Sequence, residues 1–156
     1  MAIYKFTHHQ EDWIQTNLTK KDFENRWLKI ESNGRITLKG AQEHGYAWDG
    51  CSPKWKISGK IFGTPDVRID PKTKKPKTYY ASMFHDAIYQ YKNAQTMKIS
   101  RKEADLIFLI MLKKAKFRFW RIYYLGVRIG GGFYGKWRTT SSQLPVEVSE
   151  YSWISD

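Results

Sequence analysis

The sequence contains a single cysteine, Cys51, so no disulfide can form within the chain. This excludes the small secreted domains that depend on disulfides and favours a reducing compartment. Long apolar runs are also missing, since the longest, residues 106–112, is far too short to cross a bilayer as a helix. The first residues show no basic segment followed by an apolar one, so we expect no secretory signal and synthesis in the cytoplasm.

Signatures of nucleotide and nucleic-acid binding are missing from the sequence as well. No GxxxxGK(S/T) loop occurs, and the glycines at 130–132 follow a predicted helix instead of opening one, so they do not form a phosphate-binding loop. No helix-turn-helix, zinc-finger or RNP pattern is present. Any binding of nucleic acid would therefore depend on charge alone.

Acidic residues are few: the sequence has 15 Asp and Glu and 27 Lys and Arg, which gives a formal charge of +12. This charge favours polyanionic partners such as DNA or an anionic lipid surface and does not choose between them; a basic surface without a specific partner is the alternative. The 156 residues, 16% of them aromatic, can bury one core. We expect one domain over residues 1–138 and an acidic, aromatic tail over residues 139–156 that docks on the body or on a partner.

The N-terminal half predicts a small antiparallel sheet. Residues 27–39 alternate between apolar and polar side chains around Asn33-Gly34, a pair that favours a hairpin with a type I′ turn. Residues 2–7 predict a further short strand, and we expect His8 and His9 after it to be exposed. The alternation in the hairpin turns Leu28, Ile30, Ile36 and Leu38 inward and Lys29, Glu31, Arg35 and Thr37 outward.

Two segments rich in turn-forming residues precede the helices. Residues 45–66, dense in Gly, Pro and aromatics, predict a structured loop with short strands, and Asp49 within it is a candidate metal ligand, with a plain Asp-Gly turn as the alternative. Residues 67–78 contain two prolines and predict a basic surface loop without a helix. Its candidate phosphate-binding residues are Lys72, Lys74 and Lys75, and a solvated lysine loop is the alternative.

The C-terminal half predicts three helices. Residues 80–105 favour two of them joined by a polar turn, and Ser100 with Glu103 forms the capping-box pattern that starts the second. The third is predicted over residues 118–129. Its arginines Arg118, Arg121 and Arg128 are candidates to bind phosphate or lipid headgroups, and a solvated helix face is the alternative. The expected fold is α+β: an N-terminal β-hairpin or small antiparallel sheet and structured loops, packed on a C-terminal three-helix unit.

The candidate chemistry lies in the first two helices. His85 and Tyr89 are one helical turn apart and share a face, while Asp105 borders the apolar face of the second helix, where a carboxylate needs a partner. If the two helices are antiparallel, Asp105 can hydrogen-bond to His85 and orient it as a general base. The neighbouring Asp86 can bind a cation. A core histidine with a paired aspartate is the alternative.

Four blocks of the sequence, GYAWDGCSPKW, ASMFHDAIYQ, SRKEADLIFLIMLKKA and WRIYYLGVRIGGG, resemble an uncharacterised family of phages and bacteria, domain of unknown function 1353. The resemblance covers residues 45–132, and HDAIY and SRKEAD are its most specific parts. It implies a phage or prophage origin and assigns no reaction.

The HDAIY block is also similar to the HDxxY helix motif of phospholipase A2 enzymes. This resemblance implies that His85 activates water, that Asp86 binds Ca²⁺, and that Tyr89 and Asp105 orient the histidine. A calcium site needs several more oxygens, which phospholipases supply from a YxGxG loop ahead of the helix. Residues 46–50 of this chain read YAWDG and depart from that pattern.

Two functions from different classes follow as hypotheses. One is a calcium-assisted lipid ester hydrolase whose basic surface favours anionic membranes. The other is a non-catalytic phage virion or assembly protein that binds other phage structural proteins and turns its basic surface toward DNA or an acidic partner chain. Both hypotheses expect synthesis in the host cytoplasm and no transmembrane segment, and the second places the protein in the virion.

Overall fold

The computed structural model describes residues 6–19, 22–42, 44–48, 55–57, 60–62, 69–130 and 136–154. Within these residues, antiparallel strands on the N-terminal side and three helices on the C-terminal side share one hydrophobic core, which confirms the α+β fold predicted from the sequence. The helices are α1 (Tyr79–Gln90), α2 (Arg101–Lys114) and α3 (Trp120–Gly130). The strands are β1 (Phe6–His8), β2 (Glu11–Thr16), β3 (Phe23–Glu24), β4 (Leu28–Ile30), β5 (Arg35–Lys39), β6 (Tyr46–Trp48), β7 (Trp55–Ile57), β8 (Lys60–Phe62) and β9 (Val148–Tyr151).

The largest sheet has five strands in the order β3-β4-β5-β2-β9, with antiparallel pairing throughout. Alternate side chains of its strands enter the core, as the period of two in a β-strand requires. Two smaller antiparallel pairs, β1 with β6 and β7 with β8, complete the strands. The short strands predicted within residues 45–66 are therefore present. The inward side chains of the central strands, Ile14, Leu28, Ile30, Ile36 and Leu38, are at most 1% exposed.

The predicted hairpin is present, but its turn is not of type I′. Ile30 pairs with Ile36, so the loop has three residues, 32–34, instead of two. The backbone N–H of Gly34 donates to the carbonyl of Glu31 at 2.9 Å, and φ is positive at Gly34 (+91°) and not at Asn33. This is the three-residue arrangement, in which a turn is closed by a glycine in a bulge. The strand register still turns the predicted apolar side chains inward. The loop that joins the strands is one residue longer than a type I′ Asn-Gly turn.

One position on the outward face of the hairpin is nevertheless buried. Thr37 is only 7% exposed. It lies on the interior strand β5, where Trp13 and Lys29 are its partners on the two neighbouring strands, and their side chains cover it. Alternation identifies the face of a side chain and does not show how fully its neighbours cover that face.

The second helix begins as predicted, with a complete capping box. Ser100 Oγ accepts from the backbone N–H of Glu103 at 3.1 Å, and the Glu103 carboxylate accepts from the backbone N–H of Ser100 at 2.7 Å. The helix ends at Lys114, and two residues later Lys116 has a φ of +54°, which allows Phe117 N–H to donate back to the Leu112 carbonyl at 3.0 Å. This left-handed residue turns the chain sharply, so α3 starts at Trp120, two residues later than predicted.

The C-terminal segment lies against the rest of the described chain. Its strand β9 pairs with β2 at the edge of the large sheet. Trp153 then stacks on Tyr80 at the start of α1, with ring centroids 3.9 Å apart and planes 3° from parallel. Aromatic contact of this kind adds to the hydrophobic burial of both rings. Across the described residues, the helices are all too short or too polar to cross a membrane.

The hairpin turn gives a first testable prediction. We expect Gly34→Ala to lower the free energy of unfolding by about 2–4 kcal/mol, because a Cβ would lie 2.1 Å from the Thr16 backbone oxygen and alanine disfavours positive φ. Denaturant unfolding measures this loss. Ser32→Ala is the control in the same turn, since Ser32 is exposed and should change stability by less than about 0.5 kcal/mol. Equal stability of the two variants would contradict the turn geometry.

Candidate active site

Helices α1 and α2 pack against each other and bring three predicted residues together. His85 and Tyr89 lie one turn apart on α1, and Asp105 faces them from the first half of α2. The Nε2 atom of His85 lies 2.8 Å from Oδ1 of Asp105, so the contact expected from the sequence is present. The hydroxyl of Tyr89 donates to the same carboxylate oxygen at 2.6 Å. One carboxylate thus holds both side chains.

Two arginines neutralise this carboxylate from its other side. Oδ2 of Asp105 lies 2.7 Å from Nη1 of Arg128 on α3 and 3.7 Å from Nε of Arg101 on α2. The Asp105 side chain is fully buried, whereas both arginines keep part of their surface in solvent. A buried carboxylate is tolerated when its charge is paired and its lone pairs are hydrogen-bonded, and both conditions are met here. Four side chains thus take the place of water around the Asp105 carboxylate.

The arginine pairing was not predicted. Arg128 was expected to face phosphate or lipid headgroups together with Arg118 and Arg121. Its guanidinium instead turns inward to Asp105, while the other two arginines are exposed. Arg101 also donates to the backbone carbonyls of Val127 and Arg128, which ties α3 to the start of α2. The angle of α3 decides these contacts, and helical spacing alone does not encode that angle.

The surroundings of His85 fix its tautomer and its basicity. Because Nε2 faces a carboxylate, it carries the hydrogen of the neutral ring, and Nδ1 keeps its lone pair. Burial lowers the pKa of His85, but the hydrogen bond to Asp105, the contact with Asp86 and the charges of both carboxylates raise it by more, so the net pKa lies above its ordinary value of 6.5. Burial and the charge of Asp105 likewise raise the pKa of Tyr89, so its hydroxyl stays a donor.

The second predicted carboxylate lies beside the free edge of the imidazole. Oδ1 of Asp86 is 3.9 Å from Nδ1 of His85, beyond hydrogen-bond length. The Asp86 side chain is 18% exposed, whereas that of Asp105 is fully buried. The Nδ1 edge of the ring is therefore turned toward the more exposed of its two carboxylates.

Other predicted residues lie apart from this cluster or outside the described residues. Asp49, the second candidate metal ligand, is outside the described residues. Within them, no group of three or more His, Cys, Asp or Glu side chains is placed to hold a metal ion. Three lysines of the basic loop are exposed, and one of them, Lys72, lines a cavity of about 250 Å³ together with Tyr80 and Trp153. The exposed lysines are Lys72, Lys74 and Lys75.

A second buried histidine–aspartate pair was missed in the sequence. His8 was expected to be exposed but is 3% exposed, with Nε2 2.8 Å from Oδ2 of Asp12. Its Nδ1 lies 3.0 Å from the hydroxyl of Tyr79, so both ring nitrogens have partners. The signal that could have found it is strand alternation, because His8 shares a face of β1 with Phe6. In His85, by contrast, one ring nitrogen lies 3.9 Å from its carboxylate neighbour Asp86.

Comparison with known proteins adds a family match and no activity. A family model described as a protein of unknown function (DUF1353) matches residues 66–127. The matched segment includes α1, α2 and most of α3, and therefore His85, Asp86, Tyr89 and Asp105. Neither the curated proteins nor the solved structures gave a match.

The role of Asp105 can be tested by removing its charge. We expect Asp105→Asn to lower the pKa of His85, because the hydrogen bond and charge that raise it are lost while burial stays. Stability should fall by about 2–4 kcal/mol, since Arg128 loses its buried partner. Histidine ring resonances in an NMR pH titration measure the first effect. Asp12→Asn is the matched control and should leave the His85 titration unchanged; a shift equal in both variants would contradict the assignment.

The raised pKa also predicts how stability depends on pH. A histidine whose folded pKa exceeds its unfolded value stabilises the fold fully below pH 6.5 and loses this contribution as the pH rises through the folded pKa. We therefore expect the difference in unfolding free energy between the native protein and His85→Gln to be larger at about pH 6 than at about pH 9. Urea unfolding at both values measures it, and the opposite ordering would show that the folded pKa is lowered.

Proposed function

We propose that this protein is a hydrolase in which His85 activates water to cleave an ester, with lipid esters as the substrate class. The observation that carries the proposal is the contact of His85 Nε2 with Asp105 at 2.8 Å, made while Tyr89 holds the same oxygen. A base needs a fixed ring, a defined tautomer and an accepting nitrogen. His85 has all three, since its Nδ1 lies 3.9 Å from the nearest Asp86 oxygen and keeps its lone pair.

The proposed reaction uses these positions. Nδ1 of His85 takes a proton from water while the water oxygen bonds to the ester carbonyl carbon. The carbonyl electron pair becomes the oxyanion of a tetrahedral intermediate, which collapses when the ester C–O bond breaks. The imidazolium returns its proton to the leaving alkoxide, so the products are a carboxylic acid and an alcohol. Asp105 stabilises the imidazolium through its 2.8 Å contact with Nε2, while Arg128 and Arg101 hold the carboxylate in place.

The choice of a lipid ester depends on two further features. The HDAIY block is similar to the HDxxY helix motif of phospholipase A2 enzymes, and this proposal is supported by Asp105, which contacts His85 and accepts from the Tyr89 hydroxyl. The formal charge of +12 favours a substrate presented on an anionic surface. Both features support a lipid over a small neutral ester.

Calcium is a separate part of the proposal. It takes about six to eight oxygen ligands, and the one partly exposed carboxylate that the described residues place beside His85 is that of Asp86. These residues alone do not complete a calcium site, so no step of the reaction above passes through a cation. Asp86 is the ligand we propose for it, and assays with calcium and with a chelator decide whether it is used.

Hydrolysis of phospholipid vesicles by the purified protein tests the function. We expect measurable release of fatty acid from the native protein and a loss of about 100-fold or more in His85→Gln, because general-base catalysis is worth this much. The rate should rise with pH through a value above 6.5, since only neutral His85 is a base.

His8→Gln is the matched control, because it removes an equally buried histidine paired with an aspartate at the same distance of 2.8 Å. It should keep the native rate while losing comparable stability. Absence of turnover by the folded native protein, with calcium and with chelator, would refute the hydrolase. Full activity in His85→Gln would refute the site.

A further inference from the structure

Helix α3 exposes a row of large apolar side chains. Ile122, Leu125 and Ile129 are 58%, 58% and 51% exposed, and Phe119 just before the helix is 39% exposed. The three helical residues are spaced i, i+3 and i+7, so they form one stripe. Val127 and Gly130 are buried on the opposite side of the helix. The helix therefore has two apolar faces, one in the core and one in solvent; the solvent-facing one is called the α3 stripe below.

Positive charge lies beside the α3 stripe. Residues 113–130 contain no Asp or Glu and six Lys and Arg, of which Arg128 pairs with Asp105 and Lys114 donates to the Val148 carbonyl. Lys113 and Arg121 are exposed, and their charged groups lie 4.6 Å and 5.0 Å from the ring centroid of Trp120. An aromatic ring between cations and apolar side chains suits the boundary between lipid headgroups and acyl chains. With 11 residues α3 is too short to span a bilayer, and its length suits a helix that lies in the plane of the membrane surface.

We propose that the α3 stripe docks this protein onto an anionic lipid surface, with Ile122, Leu125 and Ile129 entering the acyl boundary and Arg118 and Arg121 contacting headgroup phosphates. An amphipathic helix binds such a surface through buried apolar area together with attraction to anionic lipids, and α3 supplies both. This docking does not depend on catalysis by His85.

Two other binding partners of the α3 stripe would use either its apolar side chains or its neighbouring charges, but not both. A second copy of the chain, paired stripe to stripe, would bring the cationic borders of two α3 helices together without an acidic residue on either helix to compensate them. A nucleic acid would use the charges and leave the apolar stripe in water. An anionic lipid surface covers the stripe and neutralises its borders in one contact.

Co-sedimentation with vesicles tests the docking. Vesicles of phosphatidylcholine are compared with vesicles containing about 30% phosphatidylglycerol. We expect strong partitioning to the anionic vesicles only, and about tenfold weaker partitioning of Ile122→Ser/Leu125→Ser. Ile69→Ser/Leu144→Ser is the matched control, because these side chains are similarly exposed at 57% and 51% elsewhere on the chain. It should partition like the native protein.

A second pair of variants separates docking from general attraction. Arg118→Glu/Arg121→Glu and Lys72→Glu/Lys74→Glu change the net charge equally, and we expect the first to weaken partitioning more. Measuring all proteins with His85→Gln added removes lipid turnover, so failure here and failure of the hydrolase are distinguishable. Equal losses within either matched pair would overturn the proposal. So would a dimer, seen by sedimentation velocity, that Ile122→Ser/Leu125→Ser dissociates.

Discussion

The burial of the Asp105 carboxylate is the constraint on which the helical half depends. A charge without water costs several kcal/mol unless partners replace its hydration, and four side chains do so here. These partners come from all three helices, so satisfying one carboxylate also fixes how the helices lie against each other. They are His85, Tyr89, Arg101 and Arg128.

The two buried histidine–aspartate pairs differ in the contact made by the second ring nitrogen. His8 and His85 have the same exposure and the same 2.8 Å contact to a carboxylate. In His8 the second ring nitrogen meets the Tyr79 hydroxyl, so the imidazole joins β1 to α1 and has no nitrogen left for a substrate. In His85 that nitrogen lies beside a partly exposed carboxylate. The two histidines therefore differ in the partner of Nδ1, which is the Tyr79 hydroxyl in His8 and the Asp86 carboxylate in His85.

Features decided by local spacing could be predicted from the sequence. The capping box at Ser100 fixes the start of α2, and the period of 3.6 then places Asp105 on the face toward α1. The contact with His85 follows once the two helices are antiparallel. The inward residues of the hairpin follow from alternation in the same way.

Features decided by the relative placement of elements could not be predicted. Arg128 reaches Asp105 because a left-handed Lys116, two residues after α2, redirects the chain into α3. Lysine is not the residue that usually marks such a helix end, so the sequence carried no signal for it. The hairpin turn differs for a related reason, since Asn33-Gly34 suits more than one loop length and the strand register selects among them.

The same arginines explain why α3 exposes an apolar stripe instead of turning it inward. Arg101 binds the carbonyls of Val127 and Arg128, and Arg128 binds Asp105, so the rotation of α3 about its axis is fixed at its C-terminal end. Rotating α3 so that Ile122 and Leu125 face the core would stabilise the fold by about 1.5–3 kcal/mol for each side chain buried. It would also leave Asp105 short of a cation in a dry site, at a cost of about 3–5 kcal/mol, and would expose Val127. The gain from burying Ile122 and Leu125 and the cost of unpairing Asp105 are nearly equal. The ion pair of Asp105 therefore offsets the cost of leaving Ile122, Leu125 and Ile129 in solvent.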